Sequence, residues 1–332
     1  MTGEVEVFLD ETPGETRGVI LRDGRFDRLL LQYDDDPPQN RLGARLIGRV
    51  TRVEPGLRGA FIDLGAGDPA GFLPWKGQPP RVGEKVEVVV VAEPRENKGP
   101  ALRRLGAGQG DVRLLSAGPT VAQQLAQLAP GFEVQTGAEA IRAGVEAAEA
   151  ALASREILPD HGLDIAVQRT RALIAVDIDH AGGRGRDQAN RAGLSHAARL
   201  IRLKSWGGLV AVDLAGVHHD GAFVGRMARD AFAEEPEAAI GPISRFGLLQ
   251  LSLPWRRTPV EERLISPMAR RTAPVRHLAL RLLEDRGLAR ATLYVSPSAL
   301  AAIAPLVARL GPRAAIAVDP ALAAEAFRIE EA

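Results

Sequence analysis

Arg171-Ala-Leu-Ile-Ala-Val-Asp177-Ile-Asp179 and Gly208-Leu-Val-Ala-Val-Asp213 decide how this chain is read. Each is a short apolar run that closes on aspartate. Runs of this length, bounded by glycine and polar residues, are expected to be buried strands. Their carboxylates should then emerge together at the C-terminal edge of one sheet. A carboxylate there is costly unless something positive sits with it, and a divalent cation is the obvious candidate. Alternation along the strand puts Asp177 and Asp179 on the same side, close enough to share one ion. A lone Asp-x-Asp at a strand end is commonly a turn. A second such strand ending on Asp213 favours metal instead.

The flanking sequence suggests what the metal would act on. After the first acidic pair come Gly182, Gly183 and Gly185, which let a ligand approach the backbone, with Arg184 and Arg186 placed to grip phosphates. Residues 171–204 carry seven basic side chains against three acidic ones, a net of +4, so a phosphodiester is the natural substrate. The spacing predicts a strand at 172–178, a helix at 188–204, a strand at 208–214, a helix at 221–235 and a strand at 247–252. His180 is a candidate base or ligand, against a plain turn-capping role. His218-His219 reads as a surface turn, because neighbouring residues point apart. Ser244-Arg245-Phe-Gly leads into Trp255-Arg-Arg257, and residues 256–281 hold seven Arg against two Glu. That net of +5 is either a further contact to the phosphodiester substrate or a solvated basic linker.

Upstream the pattern is β. Strands are expected at Val5–Leu9, Arg17–Leu21 and Arg28–Gln32, and again at Ala44–Val53, Arg58–Leu64, Gly71–Pro74 and Lys85–Ala92. The second group has the spacing of a small barrel. Within Ile47–Gly65 and Gly71–Pro74, period two brings Arg49, Thr51 and Arg58 to one surface. Phe61 and Phe72 either join them, stacking bases of a single strand, or fill the barrel core. From Arg41 to Arg58 five Arg face one Glu, a net of +4. Residues 93–118 read as a polar loop, followed by helices near Val121–Leu128 and Ala138–Ser154. Ala273–Asp285 is expected to be helical, and the tail to run strand 291–295, helix 298–309, strand 314–319.

The bulk numbers set bounds. A chain of 332 residues should hold two or three domains. Lys+Arg 42 balances Asp+Glu 42, so global charge announces no nucleic-acid binder. Only Lys76, Lys85, Lys98 and Lys204 are lysines. Arginine suits bidentate phosphate recognition, although GC-rich codon bias explains the same preference. There is no cysteine, which excludes disulfides and thiolate zinc sites. The acidic N-terminus lacks an apolar signal region, and no stretch approaches the ~20 apolar residues of a membrane span. A soluble, cytoplasmic protein is expected.

Together these residues resemble the ribonuclease E/G family, bacterial endoribonucleases that cut single-stranded RNA. The barrel motif resembles the family's OB-fold domain, and Lys98-Gly-Pro100 its following basic loop. Arg171–Asp179, Asn190, Leu203-Lys-Ser-Trp-Gly-Gly-Leu-Val-Ala-Val-Asp213 and Ile243-Ser-Arg-Phe-Gly-Leu-Leu249 resemble its DNase-I-like catalytic domain in order and spacing. The resemblance implies an α/β (α+β) multidomain chain. Residues 1–40 and 105–165 would be RNase-H-like scaffold segments and 41–104 the OB-fold domain. Residues 166–260 would be the catalytic domain, and 261–332 a linker and small C-terminal αβ domain.

By that resemblance Asp177 and Asp213 hold Mg2+, or Mn2+ in its place, and Asp179 assists. Phe61, Phe72, Lys98, Arg49, Arg184, Arg186 and Arg245 hold single-stranded RNA. Hydrolysis would leave 5′-phosphate and 3′-hydroxyl ends. The chain also departs from the family. Asp179 stands where the family has Asn, Gly216 where it has a second Asp, and Gln250 where it has Glu. The 5′-sensing insertion is reduced to a short glycine-rich stretch, and the Cys-x-x-Cys zinc link is missing. A minimal relative is expected, with no zinc, no membrane association, and a monomeric or dimeric state that does not depend on a zinc link. The rival expectation is a catalytically weak or inactive RNA-binding protein on the same scaffold. A DNA nuclease is a weaker third.

Overall fold

In the computed structural model, residues 4–180, 185–217 and 219–331 are described, so Gly182, Gly183, Arg184 and His218 lie outside the described residues. Among the described residues, seven α-helices and four sheets make a mixed α/β chain that divides into two compact units. One unit is residues 149–257; the other combines residues 1–148 and 258–332.

The larger unit contains a closed five-stranded barrel of OB-like form. Arg45–Glu54 pairs with Gly59–Asp63 on one side and Lys85–Ala92 on the other. Gly71–Pro74 and Ala101–Ala107 complete the ring. Alternate residues fill it: Leu46, Val50, Ala60, Ile62, Leu73, Val86, Val88, Val90 and Leu102 are buried together. Gly48 is required inside, because a Cβ there would lie 2.4 Å from Ile62. The reading of residues 93–118 as a loop is corrected here. Ala101–Ala107 is the barrel's closing strand, and Arg113–Ser116 adds to Arg45–Ile47 outside the ring. The arginines and glycines of that stretch hid the strand, because only Leu102 of Ala101–Ala107 is buried.

In the same unit, Val5–Asp10, Glu15–Arg22 and Arg25–Tyr33 form a meander, joined by the short strand Val134–Gln135. Helix Val121–Leu128 packs on it through Val121 and Leu125, held at its start by a capping box between Thr120 and Gln123. At the other end of the chain, strands Ala291–Val295, Ala314–Val318 and Phe327–Glu331 pack with helices Pro267–Glu284 and Pro297–Ala308. Chain ends meet at a buried ion cluster. Arg276 Nε lies 2.8 Å from Asp10 and its Nη1 3.1 Å from Glu15, while Arg17 Nε lies 2.7 Å from Glu15. Part of the basic run at 256–281 is therefore tied into the fold rather than forming a free linker. Arg276 is buried, Arg263 pairs with Asp36 at 2.7 Å, and Arg270 pairs with Glu325 at 2.6 Å.

The smaller unit is one six-stranded sheet with helices on one face. The strand order is Arg155–Leu158, Leu163–Arg169, Ile174–His180, Gly208–Asp213, Leu249–Leu253, Ala239–Ile243. Only Ile174–His180 and Gly208–Asp213 run parallel, joined through helix Arg186–Leu203. That helix and Gly221–Ala231 cover Val176, Ile178, Val210 and Val212. The expectation of buried strands holds for one face only. Ala175, Asp177, Asp179 and Leu209 are exposed on the other face, so these strands are half-buried. Small alanines at 175 and 211 had made an alternating pattern look like a continuous apolar run. Among the described residues no helix is long and apolar enough to cross a membrane.

Candidate functional site

Asp177 and Asp213 are register partners on the two parallel strands, and Asp179 lies two residues further along the same face. All three are exposed. Asp164 joins them from the neighbouring antiparallel strand, directly opposite Asp179. The four carboxylates are not equivalent. Arg155 Nε donates to Asp164 at 2.7 Å, a second guanidinium nitrogen donates to its other oxygen, and this pairing lowers the Asp164 pKa. No ion pair or hydrogen bond neutralises Asp177, Asp179 or Asp213 among the described residues. Partial desolvation, then the charges of Asp179, Asp213 and Asp164, push the Asp177 carboxyl above its ordinary value. Asp164 escaped the sequence reading, although Leu163-Asp-Ile-Ala-Val167 alternates cleanly and signals a strand.

Among the described residues, the connections at this edge are 159–162, 214–217, 219–220 and the turn 244–248. A cleft of about 570 Å3 opens beside it, lined by Ile157, Pro159, Gly162, Leu163, Asp164, Asp179 and His180. Strand alternation sets His180 on the face opposite Asp177 and Asp179, although His180 and Asp179 both line this cleft. His219 Nε2 lies 3.2 Å from the Gly216 carbonyl and belongs to its own loop. Asp220 caps the next helix, accepting from the Ala222 and Phe223 amides at 2.9 and 3.2 Å.

Arg186 is half-committed. Its Nη1 donates to the Val217 carbonyl at 2.8 Å, and its stem crosses Gly216. A Cβ at Gly216 would lie 2.6 Å from Arg186 Cδ, and the backbone there has φ +88°. Gln250 is exposed and pairs with Ala211, so it shares the carboxylate face. Arg245 is exposed, its guanidinium 4.7 Å from the ring of Phe246.

Among the described residues no three His, Asp or Glu side chains close into a ready metal cage. A small hydrated cation asks for less: one or two carboxylates, with water completing its shell. The in-register, uncompensated Asp177 and Asp213 fit that requirement.

On the barrel, Phe61 and Phe72 are register partners and stand outside the core. Their rings meet edge to face at 5.6 Å, and the Arg52 guanidinium lies 4.1 Å over Phe61. Phe72 also covers Gly59, where a Cβ would fall 1.9 Å from the ring. Lys98 is exposed, 3.5 Å from Glu96, and Gly99 beside it lies against the Ala70 backbone that leads to Phe72. Arg49 is exposed and lies 3.5 Å from Asp63. The two rings thus share one face of the barrel with Arg49 and Arg52, and Lys98 is exposed on the connection between Lys85–Ala92 and Ala101–Ala107.

Over 108 aligned residues, the sequence is 34% identical to ribonuclease E of Escherichia coli (strain K12) and 32% identical to ribonuclease E of Buchnera aphidicola subsp. Acyrthosiphon pisum (strain APS). Over these residues the chain is similar to ribonuclease E. The alignment takes in 30% of this chain but only 10% and 12% of those two proteins, so the match spans about a tenth of their length. No family model matches the chain.

Some residues behind the ribonuclease E/G resemblance have structural duties. Lys204 is buried, and its Nζ donates to the carbonyls of Ala151 and Ala153 at the end of helix Ala138–Leu152, with the Trp206 ring 5.0 Å away. Asn190 is buried and bonds both ways to Ala215: it accepts from the amide at 2.9 Å and donates to the carbonyl at 3.1 Å. That pair fixes the turn leaving Asp213.

Proposed function

We propose that the chain is a metal-dependent endoribonuclease acting on single-stranded RNA. The observation that carries this reading is the Asp177/Asp213 pair, in register on adjacent parallel strands, with Asp179 beside it and no cation among the described residues to balance it. The αβ unit is then read as DNase-I-like, with the RNase-H-like segments as its scaffold. Asp177 and Asp213 would hold Mg2+, or Mn2+ in its place, and Asp179 would orient water at the open face. The ion would supply polarisation of a phosphate oxygen and an activated water, giving 5′-phosphate and 3′-hydroxyl products. Phe61 and Phe72 would stack bases while Lys98, Arg49, Arg184, Arg186 and Arg245 hold phosphates. Ribonuclease E similarity supports RNA as substrate, in a cytoplasmic protein whose oligomeric state does not depend on zinc.

A second reading has its own observation. Arg186 fills the space that a side chain at Gly216 would need, and the positive φ favours glycine. A second loop carboxylate is therefore disfavoured in this conformation, as in a catalytically weak RNA-binding protein. The test is cleavage of an unstructured, AU-rich, end-labelled RNA with Mg2+, comparing the unaltered protein with Asp213→Asn. Cutting that requires Mg2+ and falls at least about a hundredfold in the variant is expected. RNA binding without cutting, equal in both proteins, would leave the second reading.

A further inference from the structure

Phe246 is 77% exposed, more than any other large apolar residue described. Single exposed apolar residues are ordinary on protein surfaces. This one differs in how it is held and where. It stands at the tip of a tight turn, Ser244–Leu248, that links strands Ala239–Ile243 and Leu249–Leu253. The Ser244 hydroxyl accepts from the Phe246 amide at 3.3 Å and the Leu248 amide at 3.1 Å. The Ser244 amide donates to the Leu248 carbonyl at 2.9 Å, and Gly247 takes φ +86°. The ring is thus presented on a braced backbone, with the Arg245 guanidinium 4.7 Å from its centre.

Strand register fixes the turn's position. Val212 pairs with Leu249, so the turn enters the sheet beside the point where Asp213 leaves it. An aromatic ring flanked by a guanidinium offers stacking to a base and charge to its phosphate, a combination suited to single-stranded nucleic acid. The geometry points to Phe246 as a base-stacking site. It would take one unpaired nucleobase next to the phosphate at Asp177 and Asp213, and so set that phosphate's register over the carboxylates. This rests on the RNA reading above and adds a substrate-positioning residue. Phe246 would act through the base it holds, not on the reacting atoms.

The test is binding of an unstructured RNA dodecamer, followed by fluorescence anisotropy in EDTA so that no cleavage intervenes. The unaltered protein is compared with Phe246→Ala, Phe246→Leu and Phe246→Trp. Alanine is expected to weaken binding about tenfold, within the usual range for one stacked base, and leucine nearly as much. Tryptophan should keep the affinity, and its added fluorescence should be quenched by RNA. A single abasic nucleotide walked along the oligomer should abolish that quenching at one position only.

Unchanged affinity in Phe246→Ala, or full replacement by leucine, would overturn the stacking site while leaving RNA binding standing. A Phe246→Ala variant that turns a dimer into a monomer, with RNA affinity unchanged, would overturn it in favour of an interface between copies. Failure of the unaltered protein to bind RNA would remove the functional reading, and the stacking site with it.

Discussion

Asp177 is surrounded by like charge, and this has a measurable cost in the metal-free protein. Its carboxyl is pushed up first by partial desolvation and then by Asp179, Asp213 and Asp164. A carboxyl raised in the folded state contributes stability below its unfolded pKa, near 3.9, and loses that contribution as pH rises through the folded value. At neutral pH the charged Asp177 is therefore disfavoured by its neighbours unless a cation binds, with Arg155 offsetting part of the Asp179 charge. Asp179→Asn removes one repulsive charge without changing the strand. Without metal at pH 7 the variant is expected to melt slightly higher, by about 1 °C, since exposed charge interactions amount to only a few tenths of a kcal/mol. The difference should vanish near pH 3. The Mg2+-induced rise in melting temperature should be smaller in the variant. Thermal melts with EDTA and with Mg2+ at both pH values check this. A larger Mg2+ effect in Asp179→Asn would mean that Asp179 lies outside the cation's field.

At the scale of elements, Lys204 shows how a functional-looking residue can be structural. It follows helix Arg186–Leu203 and satisfies carbonyls at the end of helix Ala138–Leu152, where the helix dipole is negative. Lys204→Met keeps the stem and discards the charge. A loss of about 2 kcal/mol is expected in urea unfolding, with RNA affinity unchanged. Weakened RNA binding at constant stability would place Lys204 on an RNA surface instead. Sequence pattern located most elements because their periods are strong: four of the five barrel strands, helices Ala138–Leu152 and Arg186–Leu203 and the paired Asp-ending strands lie within a few residues of expectation. It missed Arg155–Leu158 and Leu163–Arg169, which carry Asp164, and the edge strand Ala239–Ile243, which contains a proline. It also left Phe61 and Phe72 undecided, because period two assigns a face only after the strand's inner side is known. Asn190 was visible only as part of a motif. Its bonds to Ala215 depend on two segments 25 residues apart, which no local pattern records.

On the scale of the whole molecule, the larger unit joins sequence ends that local periodicity could not connect. Strand Val5–Asp10 and helix Pro267–Glu284 meet through Asp10, Glu15, Arg17, Thr272 and Arg276, all buried. Burial raises the Glu15 pKa, but Arg276, Arg17 and the Thr272 hydroxyl outweigh it, and the net shift is downward. Glu15 thus contributes stability above its unfolded pKa, near 4.3, and this is lost as pH falls through the lower folded value. Arg276→Met leaves Asp10 and Glu15 buried with less compensation, and a loss of about 3–5 kcal/mol at pH 7 is expected. The gap from the unaltered protein should narrow as pH falls below about 4, because protonating the stranded carboxylates removes the penalty. Urea unfolding followed by circular dichroism from pH 7 to pH 3.5 reads the gap directly. Asp10→Asn added to Arg276→Met separates charge from packing. If stranded charge dominates, the double variant recovers part of the loss at pH 7 and little at pH 3.5. If the loss comes from the cavity and misfit left by the guanidinium, the double variant stays as unstable as the single one at both pH values.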